Sequence, residues 1–285
     1  SGVIAAVAQT MPRADRHFGK VREILMSDDA VYNLAALVEN HDRLNRLSKQ
    51  TISSFLPITE QTRSGILSTA QSYLKVVNSD SALRSLTRST IDLDALRDGA
   101  PITIYIVVPP DKLESHGALL RLWVGALMLT VMGRKRRPPR STLFLLDECA
   151  QLGEFGPLRQ AMTLLRGYGL QVWPFFQDLS QIQRLYPKDW QTIFNNAGVF
   201  QLFGVANNLM ARESSDLLGD IDADVLRKMP KDRQVVSVSG GKAEAVRLPD
   251  YLTDAPFKDM WDPNPMFEPP LPAGAPQSRG GGRAR

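Results

Sequence analysis

Apolar positions repeat with a helical period through the first ninety residues and then change character. Val31, Leu34, Leu37, Val38, Leu44 and Leu47 recur at roughly helical spacing, and Ile58, Ile66, Leu67, Ala70 and Leu74 form a second broad apolar face. Ser27 followed by Asp28 and Asp29 predicts a helix start, a capping hydroxyl with acids in the first turn. Pro57 predicts another, because its fixed φ suits the first helical turn. No two-residue alternation interrupts this part, so residues 1 to about 90 read as all-helical.

From about residue 91 to 250 the pattern becomes strand, helix, strand, helix. Ile102 to Val108 (ITIYIVV), Thr142 to Leu146 (TLFLL), Leu170 to Phe176 (LQVWPFF) and Val199 to Phe203 (VFQLF) are continuous apolar runs separated by helical segments. Such runs predict a parallel sheet covered on both faces. Pro109 and Pro110 stop the first run, and Pro174 counts against the third, since proline cannot donate to a ladder. Val235 to Val238 and Ala243 to Leu248, around Gly240-Gly241, predict an edge β-hairpin. From about Pro256 the chain turns to Pro-Asn-Pro, Pro-Pro and a Gly280-Gly281-Gly282 tail that cannot build a core. The most apolar stretch, Leu122 to Met132, has eleven residues against the roughly 20 needed to span a bilayer. With Arg121 before it and Gly133 after it, this stretch predicts a buried helix with a glycine stop.

Composition alters this picture little. Lys and Arg number 34 against 30 Asp and Glu, a balance that neither demands nor excludes a nucleic-acid partner. The single cysteine, Cys149, rules out an intrachain disulfide framework and points to a reducing compartment. Ser1 to Gln9 lack the basic start and the length of a signal peptide, and the absence of an initial Met predicts a fragment.

The chemistry concentrates in LFLLDE, residues 143 to 148, where an apolar strand delivers Asp147 and Glu148 to its carboxyl end. Open parallel sheets bind ligands at that end. Two adjacent acids there suit nucleotide hydrolysis, the first holding Mg²⁺ through water and the second orienting or deprotonating the attacking water. The alternative is a strand-terminal turn whose acids face solvent. Arg166 ends the helix predicted from Pro157, just before Gly167-Tyr168-Gly169. It can reach a neighbouring subunit's γ-phosphate, or simply complement the helix dipole. Gln177 ends the next strand, where an amide can sense a γ-phosphate, position water or cap the following helix.

The succession LFLLDECAQLG, LLRGYGLQVWPFFQDLSQI and FNNAGVFQLFG, with ITIYIVVPPDKL before it and SSDLLGD after it, resembles the TraG-type coupling proteins of conjugation and type IV secretion. The likeness covers most of residues 50 to 230. It implies an α/β fold: part of a RecA-like P-loop NTPase sheet covered by helices, with an all-α domain on the N-terminal side. Residues 1–90 would be that all-α domain, inserted in the family's nucleotide-binding domain. Residues 91–255 would be the Walker B half of the nucleotide-binding domain, and 256–285 the tail. Position by position, Asp147 and Glu148 match the Walker B acids, with Asp147 the Mg²⁺ residue and both contacting ATP. Arg166 matches the arginine finger and Gln177 the glutamine at the sheet's carboxyl edge, so that Gln177 would also contact ATP and would join Glu148 and Arg166 in catalysis, while Asn196 matches a recurring polar position of unassigned role. The resemblance further implies a homo-hexamer on the cytoplasmic face of the bacterial inner membrane. That assembly would move single-stranded DNA with its relaxase, or effectors, into the secretion channel, anchored by N-terminal membrane segments absent here.

The Gly-x-x-x-x-Gly-Lys-Ser/Thr loop of such ATPases does not occur. Gly240-Gly241-Lys242 is followed by Ala243 and lies in the predicted hairpin. In the family the loop lies N-terminal to the helical insertion, so the isolated chain is expected to hydrolyse essentially no ATP and to expose apolar surface. Arg134-Lys135-Arg136-Arg137, with Arg140, reads either as a solvated loop or as a DNA or lipid contact at the sheet's opposite edge. Arg13, Arg16, His17, Lys20 and Arg22 read as an exposed helix face. His17, His41 and His116 lack zinc spacing, and no Gly-x-Ser-x-Gly elbow is present. Two other functions stay open: a non-catalytic substrate-recognition adaptor, and another hexameric DNA translocase.

Overall fold

The computed structural model describes residues 1–40, 42–205, 207–239 and 241–262, with Leu165 and Arg166 described by backbone alone. His41, Gly240 and the tail from 263 lie outside the described residues. The chain forms two compact units, Ser1–Asn196 and a second beginning at Ala197.

The first unit opens with helices α1 (Gly2–Thr10), α2 (Phe18–Met26), α3 (Ala30–Glu39), α4 (Arg46–Phe55), α5 (Glu60–Tyr73) and α6 (Asp80–Thr87). The helical reading of this stretch holds, but several boundaries move. Ser27 ends α2, its hydroxyl donating to the Ile24 carbonyl, and α3 starts after Asp29. The apolar repeat from Val31 to Leu47 is split between α3 and α4: Leu44 is buried in the connection, and Leu47 is exposed. Asn45 restarts the helix by accepting the Ser48 N–H. Pro57 precedes α5 by three residues, and Thr59 occupies its N-cap. Ala6, Val7, Ile24, Leu34, Leu37 and Ile52 anchor one core among these helices.

A second core of the same unit gathers around α8 (Leu113–Met132), which follows α7 (Leu93–Asp98). At 20 residues α8 extends well beyond the eleven-residue apolar stretch, which forms its C-terminal half, and by length and composition it could cross a membrane. Burial accounts for only part of its apolarity, since Leu122 and Leu129 are exposed. Leu119, Val124, Leu127, Met128 and Val131 are buried, and Gly133 ends the helix as expected. Around it lie β1 (Thr142–Leu146), α9 (Gly156–Leu164), β2 (Leu170–Pro174), α10 (Leu179–Leu185) and α11 (Trp190–Asn195). β1 and β2 pair in parallel, Thr142 opposite Leu170 and Leu146 opposite Pro174. Phe144, Leu146 and Val172 pack on the core, while Leu143 and Leu145, each about half exposed, face outward.

The run 102–108 forms no strand, which corrects the four-run parallel sheet. Ile104 and Ile106 pack on the core, and Tyr105 and Val107 are exposed, so the run keeps a strand's alternation. The run and β1 together line a cavity of about 430 Å³.

In the second unit β3 (Val199–Leu202) is followed by α12 (Asn208–Leu218), α13 (Ala223–Arg227), β4 (Arg233–Val238) and β5 (Glu244–Arg247). β3 pairs antiparallel with β4, and β4 antiparallel with β5, giving the order β3-β4-β5. The hairpin expectation therefore holds, whereas the parallel expectation for the VFQLF run does not. Val235 of β4 is buried with Ala211 and Leu226 of the helices, so the unit's own core holds β4 beside β3.

Candidate functional site

The site grows from the carboxyl end of the β1–β2 pair. Beyond the strands, the Phe175 N–H donates to the Leu146 carbonyl at 2.9 Å and the Cys149 N–H to the Phe175 carbonyl at 3.1 Å. These bonds bracket Asp147 and Glu148, so the two acids form a short exposed turn between fixed points. Cys149 and Leu152, in the 3-10 turn Cys149–Leu152, are buried behind them. Pro174 is tolerated because Phe175 directs its N–H and C=O toward β1, which turns the proline nitrogen to the opposite edge.

Three of the four expected site residues are described in full, and two of them touch. The Gln177 Nε2 donates to Glu148 Oε1 at 3.1 Å, across 29 residues of sequence. A carboxylate only accepts, so its partner atom on Gln177 must be the nitrogen. Asp147 makes no side-chain hydrogen bond or ion pair among the described residues. Arg166 lies in the 3-10 turn Leu165–Tyr168, and its side chain is outside the described residues. Asn196 caps α11, its amide donating to the Thr192 carbonyl, and takes no part in the acid cluster.

Two residues carry contacts that sequence reading missed. Gln181 accepts the Gln177 N–H on Oε1 at 3.0 Å, while Asp178 accepts the Gln181 N–H at 2.9 Å and the Ser180 hydroxyl at 2.6 Å. The Ser180 hydroxyl, and then the Gln181 N–H, hold the Asp178 carboxyl below the usual carboxylate range. The spacing Asp178-x-x-Gln181 after a strand is a capping-box pattern and was the available signal. Arg134 is the other, and it removes one residue from the basic run as a ligand contact. Only 5% exposed, it donates to the carbonyls of Leu96, Arg97, Tyr168 and Gly169 and to Thr142 Oγ1. Burial lowers its pKa from the usual guanidinium value. Lys135, Arg136, Arg137 and Arg140 remain exposed.

The remaining candidates are structural. His17 accepts the Lys20 N–H at the N-cap of α2, Arg22 donates to Asn78, and Lys20 pairs with Glu23. Burial, reinforced by the Glu148 charge, pushes the Cys149 thiol up to about 12, which keeps it a protonated packing group.

For a metal, the described residues offer no cluster of three or more His, Cys, Asp or Glu side chains. An open Asp147 beside Glu148 still fits Mg²⁺, which takes one or two carboxylates and completes its shell with water and phosphate. The 430 Å³ cavity reaches Asp147 and Glu148, and no basic side chain lines it among the described residues.

The sequence profile of the family described as "Type IV secretory system Conjugative DNA transfer" matches residues 11–248. The chain belongs to this family. A relative named conjugal transfer protein TraG, from Agrobacterium fabrum, is 30% identical over 138 residues, 48% of this chain and 21% of the relative. The type IV secretion system-coupling protein VirD4 of Bartonella quintana is 21% identical over 214 residues, 74% of this chain and 33% of the relative. The chain thus spans about a fifth to a third of these relatives' lengths. Among solved structures, plasmid coupling protein TrwB with the ATP analogue ADPNP superposes with a TM-score of 0.65 at 16% identity, covering 82% of this chain and 58% of that one. TrwB with ADP and Mg²⁺ gives 0.58 at 16%, covering 87% and 67%. This likeness establishes the α/β, RecA-like fold class.

Proposed function

We propose that this chain is the Walker B part of a coupling-protein ATPase, which drives single-stranded DNA–relaxase complexes or effectors into a type IV secretion channel. The observation that carries the reading is the acid pair at the carboxyl end of a parallel strand, with the Gln177 amide on Glu148. Asp147, exposed and without a side-chain partner among the described residues, would hold Mg²⁺ through water, and the ion would neutralise phosphate charge. Glu148 would orient the attacking water and take its proton. Gln177 would hold the Glu148 carboxylate and lie within reach of the γ-phosphate. Arg166 of a neighbouring subunit would complete the site in a homo-hexamer at the inner membrane. Residues 1–90 would be the all-α domain inserted beside this nucleotide-binding part.

The phosphate cradle has no counterpart in this sequence, so a longer protein that contains both this chain and a P-loop is the one to assay. ATP turnover of that protein is expected to rise with single-stranded DNA. Glu148→Gln should lower it by about 10²–10⁴-fold, the usual contribution of a general base. Absence of turnover in folded, nucleotide-bound protein would sink the motor and leave a substrate-recognition adaptor. The isolated chain should be inactive in the same assay.

A further inference from the structure

Gln177 sits two residues beyond the last ladder bond, in the link between β2 and α10, where the strand no longer fixes it. Its amide nevertheless meets Glu148 at a definite distance. What holds it is its own N–H, which donates to Gln181 Oε1 at 3.0 Å. Gln181 stands on a fixed support. Its N–H is bonded to the N-cap Asp178, and the next residue, Ile182, is buried in the core. At the far end of α10, Tyr186 is buried and its hydroxyl accepts the Phe155 N–H at 3.2 Å.

In an ordinary capping box the third helical residue returns its side chain to the N-cap N–H. Here the N-cap is Asp178, yet Gln181 reaches one residue further back, to Gln177. The group it satisfies lies outside the helix, so capping alone does not account for the contact. It does account for where the Gln177 amide points. The acceptor facing an N–H must be the oxygen, so the Gln181 amide is oriented by this bond as well.

We propose that Gln181 is a positioning residue for hydrolysis, which aims the Gln177 amide at Glu148 by holding the Gln177 backbone; this rests on the motor reading above. Displacing a supporting group around a catalytic constellation costs about 10-fold or more in rate. In the P-loop-bearing protein, Gln181→Met, which keeps the side chain's size and removes the acceptor, should lower kcat about 10-fold. KM for ATP should stay within about twofold, since the residue acts through another rather than on the nucleotide.

The test is a double-mutant cycle on ATP turnover with Gln177→Ala, together with thermal unfolding of each variant. If Gln181 works through Gln177, Gln181→Met changes kcat less than about twofold in the Gln177→Ala background. An equal loss in both backgrounds would overturn the proposal and mark Gln181 as a helix cap only. So would a Gln181→Met enzyme within about twofold of wild type while Gln177→Ala is impaired. If Gln177→Ala itself leaves turnover unchanged, the role given to Gln177 falls, and this inference with it. Gln181→Glu, which restores an acceptor, should recover most of the rate and unfold at the wild-type temperature.

Discussion

The two ends of the β1–β2 pair both carry charge next to an apolar strand, and the structure treats them in opposite ways. At the carboxyl end Asp147 and Glu148 are exposed, and among the described residues one amide contact holds Glu148. At the amino end Arg134 is buried, and five hydrogen bonds from its guanidinium tie α7, the Tyr168–Gly169 turn and β1 together. A charge with spare hydrogen-bonding capacity is available to a ligand; a saturated one is committed to the fold. Both read as charged flanks in the sequence, and only their partners separate them.

The largest effect should come from the amino end. Arg134→Met would remove the guanidinium donor from the Arg97 and Tyr168 carbonyls, while those of Leu96 and Gly169 keep the N–H groups of Gly99 and Thr142, and unfolding in urea should show a loss on the order of 3 kcal/mol. The same measurement on Lys135→Ala or Arg136→Ala should move stability by less than about 0.5 kcal/mol. A small change for Arg134→Met would dissolve the contrast between the two ends.

Gly99 should follow. It ends α7 at φ 83°, and a Cβ there would collide with Pro138, which is buried beside Gly169. Gly99→Ala should cost about 2 kcal/mol, combining left-handed strain with the clash. A stability within error of wild type would show that the turn can relax.

Buried titrating groups give a pH signature. Cys149 is raised from 9.0 to about 12 and Tyr186 from 10.0 to about 12, both chiefly by burial. The folded state therefore keeps protons that the unfolded chain releases, so stability is full below pH 9 and falls as pH rises toward 12. Alkylation of Cys149 at pH 8 should be at least about 100-fold slower in the native protein than in urea. Rapid native labelling would show the pocket behind Glu148 to be open.

The smallest effect is expected at the acids. Asp147→Asn should leave the unfolding midpoint within about 0.5 kcal/mol of wild type, because nothing in the described structure depends on that carboxylate. A large loss would make Asp147 a structural residue and remove it from the Mg²⁺ role.

Much of the site was legible before any coordinates. LFLLDE predicted a buried strand ending in paired acids; β1 and its exposed acid turn form there, but the strand is covered on one face only, with Leu143 and Leu145 about half exposed. The helical texture of the first ninety residues, the glycine stop after Met132 and the hairpin around Gly241 were equally plain. These features are written in periodicity and turn chemistry, which act over a few neighbouring residues. Tertiary structure decided the rest. It left the ITIYIVV run without a ladder partner, paired VFQLF antiparallel with β4, and buried Arg134 while its basic neighbours stayed in solvent. It also brought Gln177 to Glu148 and hung Gln177 on Gln181. Strand pairing and hydrogen-bond partnership join groups tens of residues apart, and an apolar or charged residue type records only that it needs a partner. Which partner it finds is settled when the chain closes on its core.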